Sequence, residues 1–312
     1  MLNSAISSTS HLTYLPPTDN WKTQTQERKV LTAFGKINVR TGGSQDGRTM
    51  VFWPSLMLDA SMWSYQFDHF AADYRIVLID PPGIGGSDAL RRPITVEDSV
   101  ACLKEILDAL KVKCCILVGN SWGSLVAGVA AADLRERVEA AVITNGTASV
   151  STPELIEQMS SIADALEDCD AAPDWLLPAV RQGFGGQTAE ARHPEFLAYL
   201  GRILQEDPVS IAFAIKGILL AREDLHATMR RIRDVPVLVI AGTEDRIFDV
   251  AQTQRLVDAI AGSEFVLLPE TGHLAARENP VAVNAAIDAF LAARIARLRD
   301  PSAEPWNVRP AV

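Results

Sequence analysis

Short apolar runs bounded by turn residues recur along the chain. Most are separated by segments whose apolar positions return with helical period. The runs at residues 50–53, 75–79, 114–118, 138–144, 235–241 and 264–268 predict buried strands. The segments 96–110, 121–132, 251–261 and about 280–298 predict helices. Strands alternating with helices imply an α/β fold, a mostly parallel sheet with helices on both faces. Near the start, residues 30–34 and 36–40 flank Gly35 and predict a hairpin that supplies an antiparallel edge. Residues 41–47 are rich in turn formers.

One interval breaks the alternation. From 147 to 233 no strand pattern is present, and four helical stretches begin near Pro153, Pro173, Pro194 and Pro208. Proline suits a first helical position, where its missing N–H costs no helix bond. The interval therefore predicts an all-helical cap inserted between two strands, over the carboxyl ends of the sheet. The resulting division is a loose N-terminal extension at 1–29, a core made of 30–146 and 234–299, the helical cap at 147–233, and a tail at 300–312. The extension is rich in Ser, Thr, Gln and Pro; the tail carries Pro301, Pro305 and Pro310.

Composition narrows the function classes. The formal net charge is −10, which repels phosphate backbones and anionic lipid heads, so neither nucleic acid nor a membrane surface is an expected partner. The expected partner is a small molecule; oligomeric state is not readable. Cys102, Cys114, Cys115 and Cys169 form no C-x-x-C pair and no Cys/His cluster of metal-ligand spacing, so four reduced thiols and no metal or cofactor are expected. Cys114 and Cys115, as neighbours in a strand, are expected to point to opposite faces. The first residues lack a basic and an apolar region, and no run of about 18 apolar residues is present, so a cytoplasmic protein is expected.

The chemistry is concentrated where an apolar strand meets an Ala/Val/Leu-rich helix, at Gly119-Asn120-Ser121-Trp122-Gly123. In a G-x-S-x-G turn the serine is held in a strained conformation with its hydroxyl above the sheet, and the outer positions lie too close to neighbouring backbone for side chains. The helix start that follows favours developing negative charge. A serine needs a base. Of the five histidines, His11 lies in the polar extension, and His69, His193 and His226 lie in helical patterns or at their ends. His273 instead follows a strand and the freely turning Gly272. The base needs a carboxylate, and Asp245, just past the strand at 235–241, is the leading candidate, with Glu244 and Asp249 as rivals. The order Ser121, Asp245, His273 is that of a serine triad on an α/β sheet.

From about 30 to 298 the chain resembles the α/β-hydrolase superfamily. The resemblance rests on residues 80–87 (Asp-Pro-Pro-Gly-Ile-Gly-Gly-Ser), a structural turn, and on 119–123, 242–245 and 271–273. The loop at 54–66 and, loosely, the stretch 145–155 are similar to those of 3-oxoadipate enol-lactonases. The resemblance implies ester or lactone hydrolysis through an acyl-enzyme, without cofactor. Dehalogenases and epoxide hydrolases are similar overall but use an aspartate where this chain has Ser121. The oxyanion donors expected are the N–H groups of Trp122 and, counting back from Trp63 in the early loop, Leu56. Many members have His-Gly where this chain has Pro54-Ser55, and Pro54 itself has no N–H to donate.

The leading expectation is a carboxylesterase or lactonase acting on a neutral, largely apolar substrate. Apolar area is expected from Trp122, Met57, Leu58 and the apolar cap segment at 209–221. A carboxylated substrate would need a cation from Arg181, Arg192, Arg202 or Arg222. Two alternatives use the same fold: a carbon–carbon bond hydrolase with the same triad, since Gly-Asn-Ser also occurs in that group, and a small-molecule receptor with little turnover.

Overall fold

The computed structural model describes residues 18–192 and 194–299. Eight strands form one sheet: β1 (Thr25–Thr32), β2 (Gly35–Gly43), β3 (Thr49–Trp53), β4 (Arg75–Ile79), β5 (Cys115–Asn120), β6 (Val138–Thr144), β7 (Val237–Gly242) and β8 (Glu264–Leu268). Their order across the sheet is β1-β2-β4-β3-β5-β6-β7-β8. The pairs β1/β2 and β2/β4 are antiparallel; all others are parallel. The helices are α1 (Asn20–Thr23), α2 (Ser64–Phe70), α3 (Val96–Ala109), α4 (Trp122–Asp133), α5 (Pro153–Glu167), α6 (Leu176–Phe184), α7 (Gln187–Arg192), α8 (Pro194–Leu200), α9 (Pro208–Ala214), α10 (His226–Met229), α11 (Val250–Ala259), α12 (Ala275–Glu278) and α13 (Pro280–Arg299).

The centre of the sheet follows from its side chains. Every residue of β5 and β7 is buried, which is why these strands read as continuous apolar runs rather than alternating ones. Helix α4 is buried from Trp122 to Ala131, as a helix without a polar face must be. Helix α3 is two-faced. Its start is fixed by a reciprocal cap in which Thr95 accepts from the Asp98 N–H and Asp98 accepts from the Thr95 N–H.

The hairpin at Gly35 (φ 89°) is present, but β1 begins at Thr25 and α1 precedes it. The expected loose extension to residue 29 is therefore replaced by strand from Thr25. Its polar, mostly exposed positions carry little apolar signal, and its pairing with β2 makes it a strand. The rest of that extension, 1–17, and the tail from 300 lie outside the described residues. Cys114 sits just before β5, so the expected pairing of the two cysteines as strand neighbours does not hold; all four thiols are free. Among the described residues no helix is long and apolar enough to cross a membrane.

Between β6 and β7 the described chain is helical, α5 to α10 with intervening tight turns. Thr152 and Asp207 cap α5 and α9, each followed by proline in the first turn. The second helix of the expectation begins at Leu176, after Pro173 rather than on it. The apolar stretch 208–220 is α9 continued by a wider π turn (Ile215–Leu220), and it packs on α5. Its two conspicuous non-apolar points face opposite ways: the Ser210 hydroxyl, on the core side, accepts from the Leu90 N–H at 2.9 Å, and Lys216 lies on the outer side with Glu167 and Asp164.

Gly217 is pressed against the core. A Cβ there would lie 1.9 Å from the Ile94 carbonyl oxygen. Backbone cannot yield as a side-chain tip does, so Gly217→Ala should destabilise the chain by roughly 2–3 kcal/mol. The expected readout is an earlier urea midpoint at unchanged slope; a midpoint equal to wild type would show that the cap and the loop at Ile94 separate without cost.

Candidate active site

Ser121 stands between β5 and α4 with φ 54° and ψ −108°, a conformation that an L residue adopts only when its surroundings force it. The forcing contacts are identifiable. A Cβ on Gly119 would lie 1.9 Å from the Gly123 carbonyl oxygen, and one on Gly123 would lie 2.0 Å from the Trp53 carbonyl oxygen. The turn is thus closed on itself and pressed against the end of β3. The Ser121 N–H donates to the Thr144 carbonyl at 3.1 Å, which ties it to β6.

Asp245, just past β7, and His273, past β8, meet each other. His273 Nδ1 lies 2.9 Å from both carboxylate oxygens of Asp245, and both side chains are buried. Burial raises the Asp245 carboxyl, but the imidazole beside it and hydrogen bonds from His273, Phe248 and Asn145 outweigh that and hold it below the ordinary range. With Nδ1–H facing the carboxylate, the acceptor nitrogen is Nε2, which is buried and has no hydrogen-bond partner among the described residues. The His273 ring is packed between Phe184 of the cap (5.5 Å, stacked) and Phe248 (5.3 Å, edge-on).

The rivals for the acid are engaged elsewhere. Asp249 caps α11 by accepting from the Gln252 N–H, and Glu244 accepts from the N–H and hydroxyl of Thr188 in α7. His69 pairs with Asp288 and His226 with Asp224. His11 and His193 lie outside the described residues. Among the described residues no group of three His, Cys, Asp or Glu side chains is placed to hold a metal ion.

Leu56 follows β3 in a tight turn closed by the Leu58 N–H on the Ser55 carbonyl at 3.3 Å, with Met57 at φ 65°. Asp80 supports the far end of this loop by accepting from the Ala60 N–H at 2.8 Å. The Gly123 N–H donates to the Pro54 carbonyl at 3.2 Å, so the loop carrying Leu56 is bonded to the turn carrying Trp122. The departure from His-Gly thus leaves the loop attached, through a carbonyl that proline retains. The Trp122 indole does not add an apolar wall beside the serine. Its Nε1 donates to Ser99 of α3 at 3.0 Å and its ring packs edge-on against Trp53.

Two asparagines join these parts. Asn145 (φ 49°) donates to Asp245 at 3.0 Å and to the Gly272 carbonyl at 2.9 Å, and accepts from the Ala275 N–H. Asn120 donates to the His273 carbonyl at 3.2 Å and accepts from Thr144 at 2.8 Å. Neither is among the residues singled out from sequence as catalytic. The available signal for Asn145 was an asparagine immediately after a strand that ends beside Ser121, since asparagine tolerates positive φ. Of the candidate cations, Arg181 pairs with Glu190 and Arg202 with Asp59. The side chain of Arg192 is outside the described residues. Arg222 is buried and bonded to the Ser149 and Ile218 carbonyls and the Ser151 hydroxyl.

Comparison with known proteins bears on the fold that carries this geometry. The chain is 26% identical over 255 residues to 3-oxoadipate enol-lactonase 2 of Acinetobacter baylyi, covering 82% of this chain and 92% of that one. The crystal structure of the enol-lactonase from Burkholderia xenovorans superposes with a TM-score of 0.78 at 26% identity, over 85% of this chain and 100% of that one. A thermophilic esterase from Thermogutta terrifontis shares the fold, with a TM-score of 0.78 at 24% identity over 86% and 98%. A family model described as alpha/beta hydrolase fold matches residues 48–280. With a strained serine turn at the carboxyl edge of a mostly parallel sheet and most of its length matched, the chain belongs to the α/β hydrolase family.

Proposed function

We propose that this hydrolase cleaves a carboxylic ester or lactone, neutral and largely apolar, through Ser121, His273 and Asp245. The observation that carries the reading is the conjunction of a left-handed serine at the turn from β5 to α4 with a buried His273–Asp245 pair, linked by the bond from Asn120 to the His273 carbonyl. Ser121 Oγ attacks the substrate carbonyl carbon while its proton passes to His273 Nε2. Asp245 stabilises the imidazolium and fixes its tautomer. The negative oxygen of the tetrahedral intermediate is held by the Leu56 and Trp122 N–H groups. Collapse breaks the bond to the alkoxy oxygen, which takes the proton from His273 and leaves an acyl-Ser121. Water then repeats the sequence and releases the acid.

Two of the described candidate cations are already paired with carboxylates, which favours a neutral substrate. A carboxylated substrate is the second reading, and Arg222 favours it. Its guanidinium has no ion pair among the described residues, burial pulls its pKa down to about 10, and it lies 5.6 Å from the Phe248 ring, which touches His273. An anion there would relieve an uncompensated buried charge.

Ser121→Ala should lower kcat by about four orders of magnitude or more with the fold kept, and a fluorophosphonate should label wild type at Ser121. Full turnover by the alanine variant, with its mass and circular dichroism verified, rejects the nucleophile. Asp245→Asn should cost about 10⁴-fold in kcat, whereas Asp249→Asn should stay within about twofold, because asparagine caps a helix as well as aspartate does. The reverse ranking would move the acid to Asp249. In steady-state kinetics, kcat/KM should be higher for neutral apolar esters and lactones than for a carboxylated enol-lactone; a preference for the carboxylated compound that disappears in Arg222→Met would establish the second reading instead.

A further inference from the structure

Glu278 is a buried carboxylate that the proposed mechanism does not use. It ends α12, five residues after His273. One carboxylate oxygen accepts from the Gly272 N–H at 2.7 Å and the Gly186 N–H at 3.3 Å; the other accepts from the Leu274 N–H at 2.9 Å. Gly272 and Leu274 flank the base. Gly186 belongs to the cap, in the turn between α6 and α7. Among the described residues no Lys or Arg pairs with this carboxylate; three backbone dipoles stand where a cation otherwise would.

The two backbone segments that share Glu278 are in direct contact. A Cβ on Gly272 would lie 2.5 Å from the Gly186 nitrogen, and one on Gly186 would lie 2.7 Å from the Glu278 carboxylate and 2.9 Å from the Gly272 nitrogen. The same cap turn begins at Phe184, whose ring stacks on the His273 imidazole. The cap therefore grips the base twice, through an aromatic face and through a shared carboxylate.

We propose that Glu278 is a positioning residue that locks the loop carrying His273 to the α6–α7 turn of the cap, so that the placement of the base depends on the seating of the cap. This rests on His273 being the base of the reaction proposed above. The carboxylate holds the peptide groups on both sides of the imidazole, so its loss lets the ring turn or withdraw along the direction of Ser121. A glutamine of the same shape presents an N–H₂ group to at least one of the three N–H donors. That donor then faces another donor, and the clamp opens on one side. Burial also pushes the Glu278 carboxyl up to about 7, so the neutral amide relieves a desolvated charge, and the variant is expected to fold.

The test uses the full chain with p-nitrophenyl butyrate as substrate and a fluorophosphonate as probe of Ser121. Glu278→Gln should lower kcat and the labelling rate together, roughly ten- to hundredfold, with KM nearly unchanged, because a displaced base weakens the transition state and not substrate binding. Gly186→Ala, which leaves Glu278 in place but pushes the cap turn off it, should lower both in the same way. Gly201→Ala, elsewhere in the cap with open space around its Cβ, should leave both at wild-type values. Thermal unfolding of each variant separates loss of fold from loss of position. Wild-type labelling rates in Glu278→Gln and Gly186→Ala overturn the proposal, and so does an effect confined to KM. If Glu278→Gln does not fold, Gly186→Ala decides by the same criterion. Failure of the wild type to be labelled at Ser121 removes the nucleophile assignment and this proposal with it; labelled wild type with unaffected variants removes this proposal alone.

Discussion

The constraint on which the serine turn depends is the approach of Gly123 to the carboxyl end of β3. With its Cβ position 2.0 Å from the Trp53 carbonyl oxygen, the first turn of α4 has no room for any side chain there. That contact does three things at once. It fixes the start of α4 and so forces Ser121 into positive φ. It places the Trp122 amide beside the loop that carries Leu56, and the bond from the Gly123 N–H to Pro54 holds the two together. It also seals the carboxyl edge of the sheet between β3 and β5, the two strands on either side of the point where chain order across the sheet changes direction. Geometry that a flexible loop would have to find on each turnover is present in the backbone beforehand.

Strain is distributed accordingly. Six non-glycine residues among those described have positive φ, and three of them, Met57, Ser121 and Asn145, follow the carboxyl ends of the neighbouring strands β3, β5 and β6. The other three, Lys111, Asp234 and Glu270, lie in connecting turns. Such conformations cost about 1–3 kcal/mol each and persist only where the surroundings determine them. Here the surroundings are the fully buried strands β5 and β7 and the nearly buried β6, whose packing supplies the compensation.

What could be read from the chain divides along the same line. The central strands and the serine turn are encoded locally, in apolar runs and in glycines whose absence of a side chain is itself the signal, and they stand within a few residues of their expected bounds. The strand from Thr25 was hidden because an exposed edge strand needs no apolar pattern, only a partner. The choice of Asp245 over Asp249 and Glu244 rests on residues far away in sequence: a helix start occupies Asp249, the cap occupies Glu244, and His273 with Asn145 hold Asp245. Asn145 and Glu278 were illegible as site residues for the same reason. Each makes its bonds across segments that meet only in the folded chain.

That distinction bears on how a fold of this kind diversifies. The serine turn, the sheet and the loop after β3 are joined by backbone contacts and tolerate few substitutions at the contacting positions. The cap is joined to them at two close backbone contacts, Gly217 on Ile94 and Gly186 on Gly272, and otherwise through side chains, Phe184 on the imidazole, Thr188 on Glu244, Arg202 on Asp59 and the Ser210 hydroxyl on the Leu90 amide. On the proposed mechanism, exchange of cap side chains would alter what surrounds the substrate without moving Ser121. It does not leave the base untouched, because one face of the His273 ring is a cap residue. With His273 as the proposed base, substrate choice and the environment of the base would be physically coupled in this chain, and a change in the α6–α7 segment would act on both.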